Sequence, residues 1–272
     1  MNKNVTVSRA NTRDREMLKQ LWMSVFGDPE PLVDAFFMHF PPEESAWVIR
    51  DGETILSAAY LITGNRLITA HESREAAYVY AVATPSSRRG FGYGGMLMRH
   101  FCDLQKQLGF VLYTRPAEPS LFSWYAKHMH TAASGFCSQV TICAQGASCD
   151  AEIRSLTAEE YAAARSEALW GESHIELCVP FLKLQEAFLQ AEGGGFCRIG
   201  EACICAYEHA EDRIRIKEIF GSEDTASEIH SLLHMLGAEC AVVSVQAHDG
   251  EPCVAYRFGA DLRNVNWGLL LD

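Results

Sequence analysis

The apolar run Tyr78-Val79-Tyr80-Ala81-Val82-Ala83 leads into Arg88-Arg89-Gly90-Phe91-Gly92-Tyr93-Gly94-Gly95. Beyond it, Leu97, Phe101, Leu104 and Leu108 fall on one helical face. A strand, a glycine-rich turn and an amphipathic helix must therefore follow one another here. Glycines let the backbone approach a ligand closely, and the start of a helix presents amides with no acceptor in the helix. Arg88 and Arg89 add charge-assisted donors suited to phosphate oxygens. From 76 to 117 the basic residues Arg88, Arg89, Arg99, Lys106 and Arg115 face Asp103 alone, in a chain whose net charge is −12.

Two phosphate-binding loops have related glycine patterns. A P-loop needs Gly-Lys followed by Ser or Thr, which the turn lacks. The dinucleotide pattern Gly-x-Gly-x-x-Gly fits Gly90 to Gly95 by letter, but its ribose-binding acid belongs at the end of the next strand. Thr114 and Arg115 stand there. An arginine suits a phosphorylated ribose, so an NADP reading stays open, although the turn lies in mid-domain and not in an opening strand–helix–strand unit.

The 272 residues are 48% hydrophobic and 21% charged, which excludes long disorder, collagen and coiled coil and allows about two domains. The acidic balance argues against nucleic acid or an anionic membrane as partner. No signal-peptide core and no membrane-length apolar run occur, and ten cysteines without a Cys-x-x-Cys pair read as free thiols of a cytoplasmic protein. His230 and His234 stand four apart, and His128 and His130 flank Met129. Neither pair has a third ligand at metal-binding spacing, so no metal is expected.

Element order divides the chain. Leu18, Leu21, Trp22, Val25 and Phe26 share a helical face closed by Gly27-Asp28, and a second helix ends at Pro41-Pro42. Trp47–Ile49 and Ile55–Tyr60 flank the hairpin signal Asp51-Gly52. Gly64-Asn65 is expected to turn the chain into a third strand at Leu67, and Tyr78–Ala83 is the fourth. The glycine turn and its helix follow, then the strand Phe110–Thr114, a short helix near 119–128 and a closing strand near 136–143. After Gly146-Ala147-Ser148 the order repeats. A helix capped by Thr157-x-x-Glu160 and a helix near 180–191 precede strands at 196–199, 202–207 and 214–219. A helix capped by Thr225-x-x-Glu228 and the strand Ala241–Val245 complete it. The fold expected is α+β (mixed α/β): two tandem domains, 1–146 and 147–272, each a mixed, mostly antiparallel sheet flanked by helices.

Residues 5–144 resemble the GCN5-related N-acetyltransferase (GNAT) superfamily. Its pyrophosphate loop, Arg/Gln-x-x-Gly-x-Gly/Ala, is matched by Arg89-Gly90-Phe91-Gly92-Tyr93-Gly94. Pro85 stands where the family has a proline before the loop, and its spacing fits Arg88 while the glycine register fits Arg89. Tyr125 on the short helix and Gly135-Phe136 entering the next strand extend the likeness. The resemblance implies an acetyl-CoA-dependent N-acetyltransferase in which a small-molecule primary amine attacks the thioester directly. The backbone of Ala81, Val82 and Ala83 would serve the thioester and pantetheine. Arg88, Arg89, Gly90, Phe91, Gly92, Tyr93, Gly94 and Gly95 would hold the pyrophosphate, and Tyr125 would protonate the departing thiolate. The alternative is a CoA-binding sensor or scaffold with little turnover. An amine of pKa near 10.4 must shed a proton at a cost of about 4.6 kcal/mol at pH 7, so a base or water relay helps. Glu75, Tyr78, Tyr80, Glu43 and Glu44 are the nearby candidates.

In the second half the corresponding turn is Phe220-Gly221-Ser222-Glu223-Asp224-Thr225, without arginines and with two acids where a pyrophosphate would lie. This half is expected to be a degenerate GNAT-like domain that binds no cofactor. The pairing resembles the two GNAT units of enhanced-intracellular-survival-like acetyltransferases, which also use a C-terminal carboxylate. Asp272 is the residue to which that role would fall here. A homo-oligomer is allowed, and nothing in the sequence selects the acceptor.

Overall fold

The computed structural model describes residues 5–129, 133–144, 151–221, 225–247, 251–258, 262 and 264–271. Its contacts divide into two units. The first unit opens with β1 (Thr6–Arg9), α1 (Arg15–Phe26), α2 (Glu30–His39) and the one-turn α3 (Pro42–Ser45). It continues with β2 (Ala46–Asp51), β3 (Thr54–Ile68), β4 (Ser73–Ala83), α4 (Tyr93–Leu108), β5 (Val111–Thr114) and α5 (Leu121–Met129). The second unit holds β6 (Ala133–Cys143) from Phe136 onward, β7 (Ile153–Leu156), α6 (Ala158–Ala168), β8 (His174–Glu176), α7 (Val179–Ala191), β9 (Gly195–Ile199) and β10 (Cys203–Ala210). It ends with β11 (Arg213–Phe220), α8 (Thr225–Leu236) and β12 (Cys240–Ala247). The chain then returns to the first unit through β13 (Glu251–Arg257).

The strand order in the first unit is β1-β2-β3-β4-β5-β13. Only β4 and β5 run parallel. In the second unit the order β7-β9-β10-β11-β12-β6 has the same pattern, with β11 and β12 the parallel pair. The repeat inferred from element order is thus a repeat of sheet order and polarity. One assignment changes. The strand expected to close the first unit, β6, pairs with β12 in the second, register Phe136 to Ala247. The first unit is closed instead by β13, whose Ala255 and Tyr256 lie opposite Thr114 and Tyr113. The periodicity of a strand states which faces it buries and says nothing about which edge it joins.

The local punctuation follows its chemistry. Gly27 takes a left-handed conformation (φ +80°) and donates to the Met23 carbonyl, ending α1. The turn expected at Gly64-Asn65 is absent: β3 is continuous, and its register against β4 slips between Ile62 and Asn65 with Gly64 at φ +100°. Glycine there permits a bulge, which bends the strand without reversing it. The reversal lies four residues later, where the Thr69 amide donates to Glu72.

The sheet of the first unit separates two apolar layers. On one face Leu61, Ala77, Val79 and Leu112 pack with Leu97, Met98 and Phe101 of α4 and Tyr125 and Met129 of α5. On the other, Tyr60, Tyr78 and Tyr80 lie in an aromatic layer with Trp22 of α1 and Phe36 of α2. Alternation along β4 assigns Ala77 and Val79 to the α4 face and Tyr78 and Tyr80 to the face of α1 and α2.

Candidate active site

The parallel ladder between β4 and β5 pairs Ala76–Tyr78 with Val111–Tyr113 and ends there. One residue on, the Thr114 hydroxyl donates to the Val79 carbonyl at 2.8 Å, so a side chain takes over from the ladder. On its other edge β4 pairs Tyr80 with Tyr60 and Ala83 with Ala58, two residues against one, and Ala81 sits at φ +46°. An alanine in this region is strained, and the bulge re-aims the amides around it. Ser57 fixes the end of the strand, donating to the Ala83 carbonyl at 2.9 Å and sharing a hydrogen bond of 2.8 Å with the Thr84 hydroxyl. Backbone from Val79 to Ala83 therefore enters an opening between two strands.

The glycine turn begins five residues beyond the bulge. Ser86–Arg88 make a single 3₁₀ turn, in which the Arg88 amide donates to Pro85. Gly90 and Gly92 take φ of +84° and +83°, and a Cβ at either would meet no atom within 4 Å. Their glycine character is required by backbone conformation, and the space above them is open. The first intrahelical bond of α4 runs from Met96 to Gly92, so the amides of Tyr93, Gly94 and Gly95 precede the helical ladder. Arg88, Arg89, Gly90, Phe91 and Gly92 are exposed, and the Arg89 Nε donates to the Thr84 carbonyl at 3.2 Å. Phe91 stacks on Tyr93 at 5.9 Å. An anion fits this cradle: open glycines, free helix-start amides and two exposed guanidinium groups.

Gly94 and Gly95 have a different job. A Cβ on Gly94 would lie 3.2 Å from the Trp124 ring, and one on Gly95 would lie 2.6 Å from His128. These glycines let α4 approach α5, whose Trp124 and His128 rings lie 4.6 Å apart, tilted at 48°. The same approach sets Tyr125, on the next position of α5, into the core beside the opening. It is 7% exposed and lies edge-on to Trp124. Burial holds its phenol above the usual tyrosine range, while hydrogen bonding with Thr114 pulls the other way. Tyr125 is therefore protonated at neutral pH, and Thr114 ties it to the Val79 carbonyl. In the sequence, the one signal for Thr114 is its position at the end of the strand after the glycine helix.

The candidate bases separate. Glu75 is exposed near the start of β4, six residues and about 20 Å along the strand from the bulge. Glu43 and Glu44 are exposed on α3. Tyr78 is buried and donates to the Leu271 carbonyl at 3.1 Å. Tyr80 is half-buried, its ring 5.5 Å from those of Trp22 and Phe36, one residue before the bulge. Asp272 and His130 lie outside the described residues. The aromatic layer holds one feature the sequence did not announce: the Tyr60 hydroxyl is fully enclosed and has no hydrogen-bond partner among the described residues.

In the second unit, α8 begins at Thr225, and Ser222–Asp224 lie outside the described residues. Glu228, in the first turn of α8, reaches Gly221, where a Cβ would stand 2.9 Å from its carboxylate oxygen. Where the first unit packs Tyr80 against Trp22 of its first long helix, the second buries an ion pair. Arg165 of α6 donates from Nε (2.9 Å) and Nη2 (3.1 Å) to the Glu218 carboxylate on β11, and Tyr161 donates to it at 2.9 Å. The third Arg165 donor meets the Ile175 carbonyl at 2.8 Å. Gly268 is packed so close that a Cβ would lie 2.4 Å from the guanidinium.

A family model described as an acetyltransferase (GNAT) domain matches residues 6–123, the stretch from β1 into α5. Several solved structures share the fold. A probable N-acyltransferase from Enterococcus faecalis V583 aligns with a TM-score of 0.71 at 11% identity, over 93% of this chain and 72% of that one. A GCN5-related N-acetyltransferase from Anabaena variabilis gives 0.73 at 11%, over 93% and 72%. Eis1 from Mycobacterium abscessus gives 0.66 at 12%, over 93% and 73%. At these identities the likeness is one of fold. No curated protein matches the chain by sequence. Among the described residues, no helix is long and apolar enough to cross a membrane.

Proposed function

We propose that the protein is an acetyl-CoA-dependent N-acetyltransferase whose first unit moves an acetyl group to a primary amine of a small molecule. The observation that carries this reading is the opening between β4 and β5, with strained Ala81 on one side and buried, protonated Tyr125 on the other. Acetyl-CoA supplies an activated thioester and a thiolate leaving group. The amides of Tyr93, Gly94 and Gly95 and the guanidinium groups of Arg88 and Arg89 would bind its pyrophosphate. The backbone of Ala81, Val82 and Ala83 would line the pantetheine and offer donors to the oxyanion that forms when the amine attacks. Tyr125 would give its proton to the departing sulfur and recover one through solvent or the acceptor. The amine would reach the carbonyl past Tyr80, where an aromatic wall of low polarity favours its neutral form.

The second unit would serve as a degenerate partner that binds no CoA. Glu228 stands in its helix-start position, and the Arg165–Glu218 pair fills the face that the first unit lines with tyrosines. The test is thiol release from acetyl-CoA with a panel of primary amines, on the full chain and on Tyr125→Phe. Amine-dependent release that falls sharply in the variant supports the reading. Tight binding of acetyl-CoA without release for any amine supports the sensor instead.

A further inference from the structure

Two pairs of cysteines face each other across antiparallel strands of the second unit: Cys197 with Cys205 on β9 and β10, and Cys143 with Cys240 on β6 and β12. The first pair is buried in the core under α8, closed to solutes. In the second, Cys143 is exposed and Cys240 half-exposed, and their sulfurs are 3.0 Å apart. The ladder fixes the kind of site they occupy. The amide of Ala144 donates to the carbonyl of Glu239 at 2.8 Å, so those two residues form a hydrogen-bonded pair. Such pairs alternate with non-hydrogen-bonded ones, which makes Cys143 and Cys240 a non-hydrogen-bonded pair. There the Cα atoms approach to about 4.5 Å, inside the range a disulfide spans. The Cys143 carbonyl is also held, by His230 Nε2 of α8 at 3.1 Å, so the strand end is anchored beside the sulfur.

We infer that Cys143 and Cys240 are a redox modification site, closing to a cross-strand disulfide when the protein meets a small-molecule disulfide. The exposed Cys143 thiolate attacks one sulfur of the small disulfide, forming a mixed disulfide and expelling one small thiol. The Cys240 thiol loses its proton and attacks the Cys143 sulfur, expelling the second small thiol. One disulfide is consumed, one is formed, and two thiols are released. An excess of small thiol reverses both steps. The bond would tie together residues 97 positions apart, so it should restrict the unfolded chain strongly and hold the end of β6 on β12.

The experiment uses the reduced full chain and oxidised glutathione, with intact mass, peptide mapping and thermal unfolding as readouts. Expected are a loss of two hydrogens, a linked peptide pair joining Cys143 to Cys240, reversal by dithiothreitol, and an unfolding midpoint several degrees higher when oxidised. Cys240→Ser should stop at the mixed disulfide on Cys143, with no rise in midpoint. Peptide mapping of the unaltered protein needs no variant, so a poorly folding Cys240→Ser leaves the test standing. A stable glutathione adduct on Cys143 in the unaltered chain, a link through Cys149 instead, or no reaction at either cysteine would overturn the inference.

Discussion

Tyr125 is worth its position only if its proton matters. Replacing it with Phe keeps the ring that packs on Trp124 and removes the proton donor, so kcat should fall by about 10²- to 10⁴-fold while acetyl-CoA affinity stays within about twofold. Steady-state rates beside a binding titration check this. Because burial raises the phenol's pKa, the group stays protonated past the ordinary value of 10.0, and any loss of rate below that pH belongs to another group. Tyr60 makes the opposite case. Its enclosed hydroxyl lacks a partner, so Tyr60→Phe should leave stability unchanged or raise it, by up to about 1–3 kcal/mol, in denaturant unfolding. Loss of stability would mean that the hydroxyl is satisfied in solution. Asp14 gives a pH signature. Burial pushes its carboxyl up, but hydrogen bonds from Arg50 and the Asn11 amide outweigh it and hold the pKa below 3.8. The unfolded pKa is the higher one, so this stabilisation is complete above it and is lost as pH falls through the folded value. Asp14→Asn should therefore cost stability at pH 7 and converge with the parent protein in strong acid.

At the scale of elements, the glycine turn divides into a binding half and a packing half. Gly90 and Gly92 look onto open space, while Gly95 sits under the His128 ring. Gly95→Ala should destabilise the protein by about 1–3 kcal/mol through overpacking, read from thermal or denaturant unfolding. The double change Arg88→Ala/Arg89→Ala should leave unfolding alone and weaken acetyl-CoA by about 10-fold or more, since each charged hydrogen bond contributes about 1.5–3 kcal/mol. Equal affinities would remove the pyrophosphate assignment. Much of this was legible in the sequence because the signals are local. Helix faces, the Gly27 stop, the Asp51-Gly52 hairpin and the strand–turn–helix at 78–108 all follow from periodicity and backbone freedom. The pairing of Gly95 with His128, the role of Thr114 and the exchange of β6 for β13 are contacts between distant segments. No local pattern encodes them. Gly64 shows the boundary well: a glycine-asparagine step permits a turn or a bulge, and the partner strand decides.

For the whole molecule, the two units share a sheet order and differ in what fills the space beside the bulge. Removing one partner of the buried pair by Glu218→Gln should cost about 3–5 kcal/mol, because Arg165 would keep an uncompensated charge in the core. Acetyl-CoA affinity should not change, provided the folded fraction is held high. In the sequence the second half differs from the first by the arginines missing from its turn. Nothing local announces the ion pair, whose members are 53 positions apart and look like ordinary surface charges on an acidic chain. The central claim is that one unit binds the acyl donor and the other does not. Calorimetric titration of the full chain with acetyl-CoA tests it most directly. Micromolar binding to one site per chain, lost in Arg88→Ala/Arg89→Ala, is the expected result. Two sites per chain, or no heat of binding at all, would contradict it.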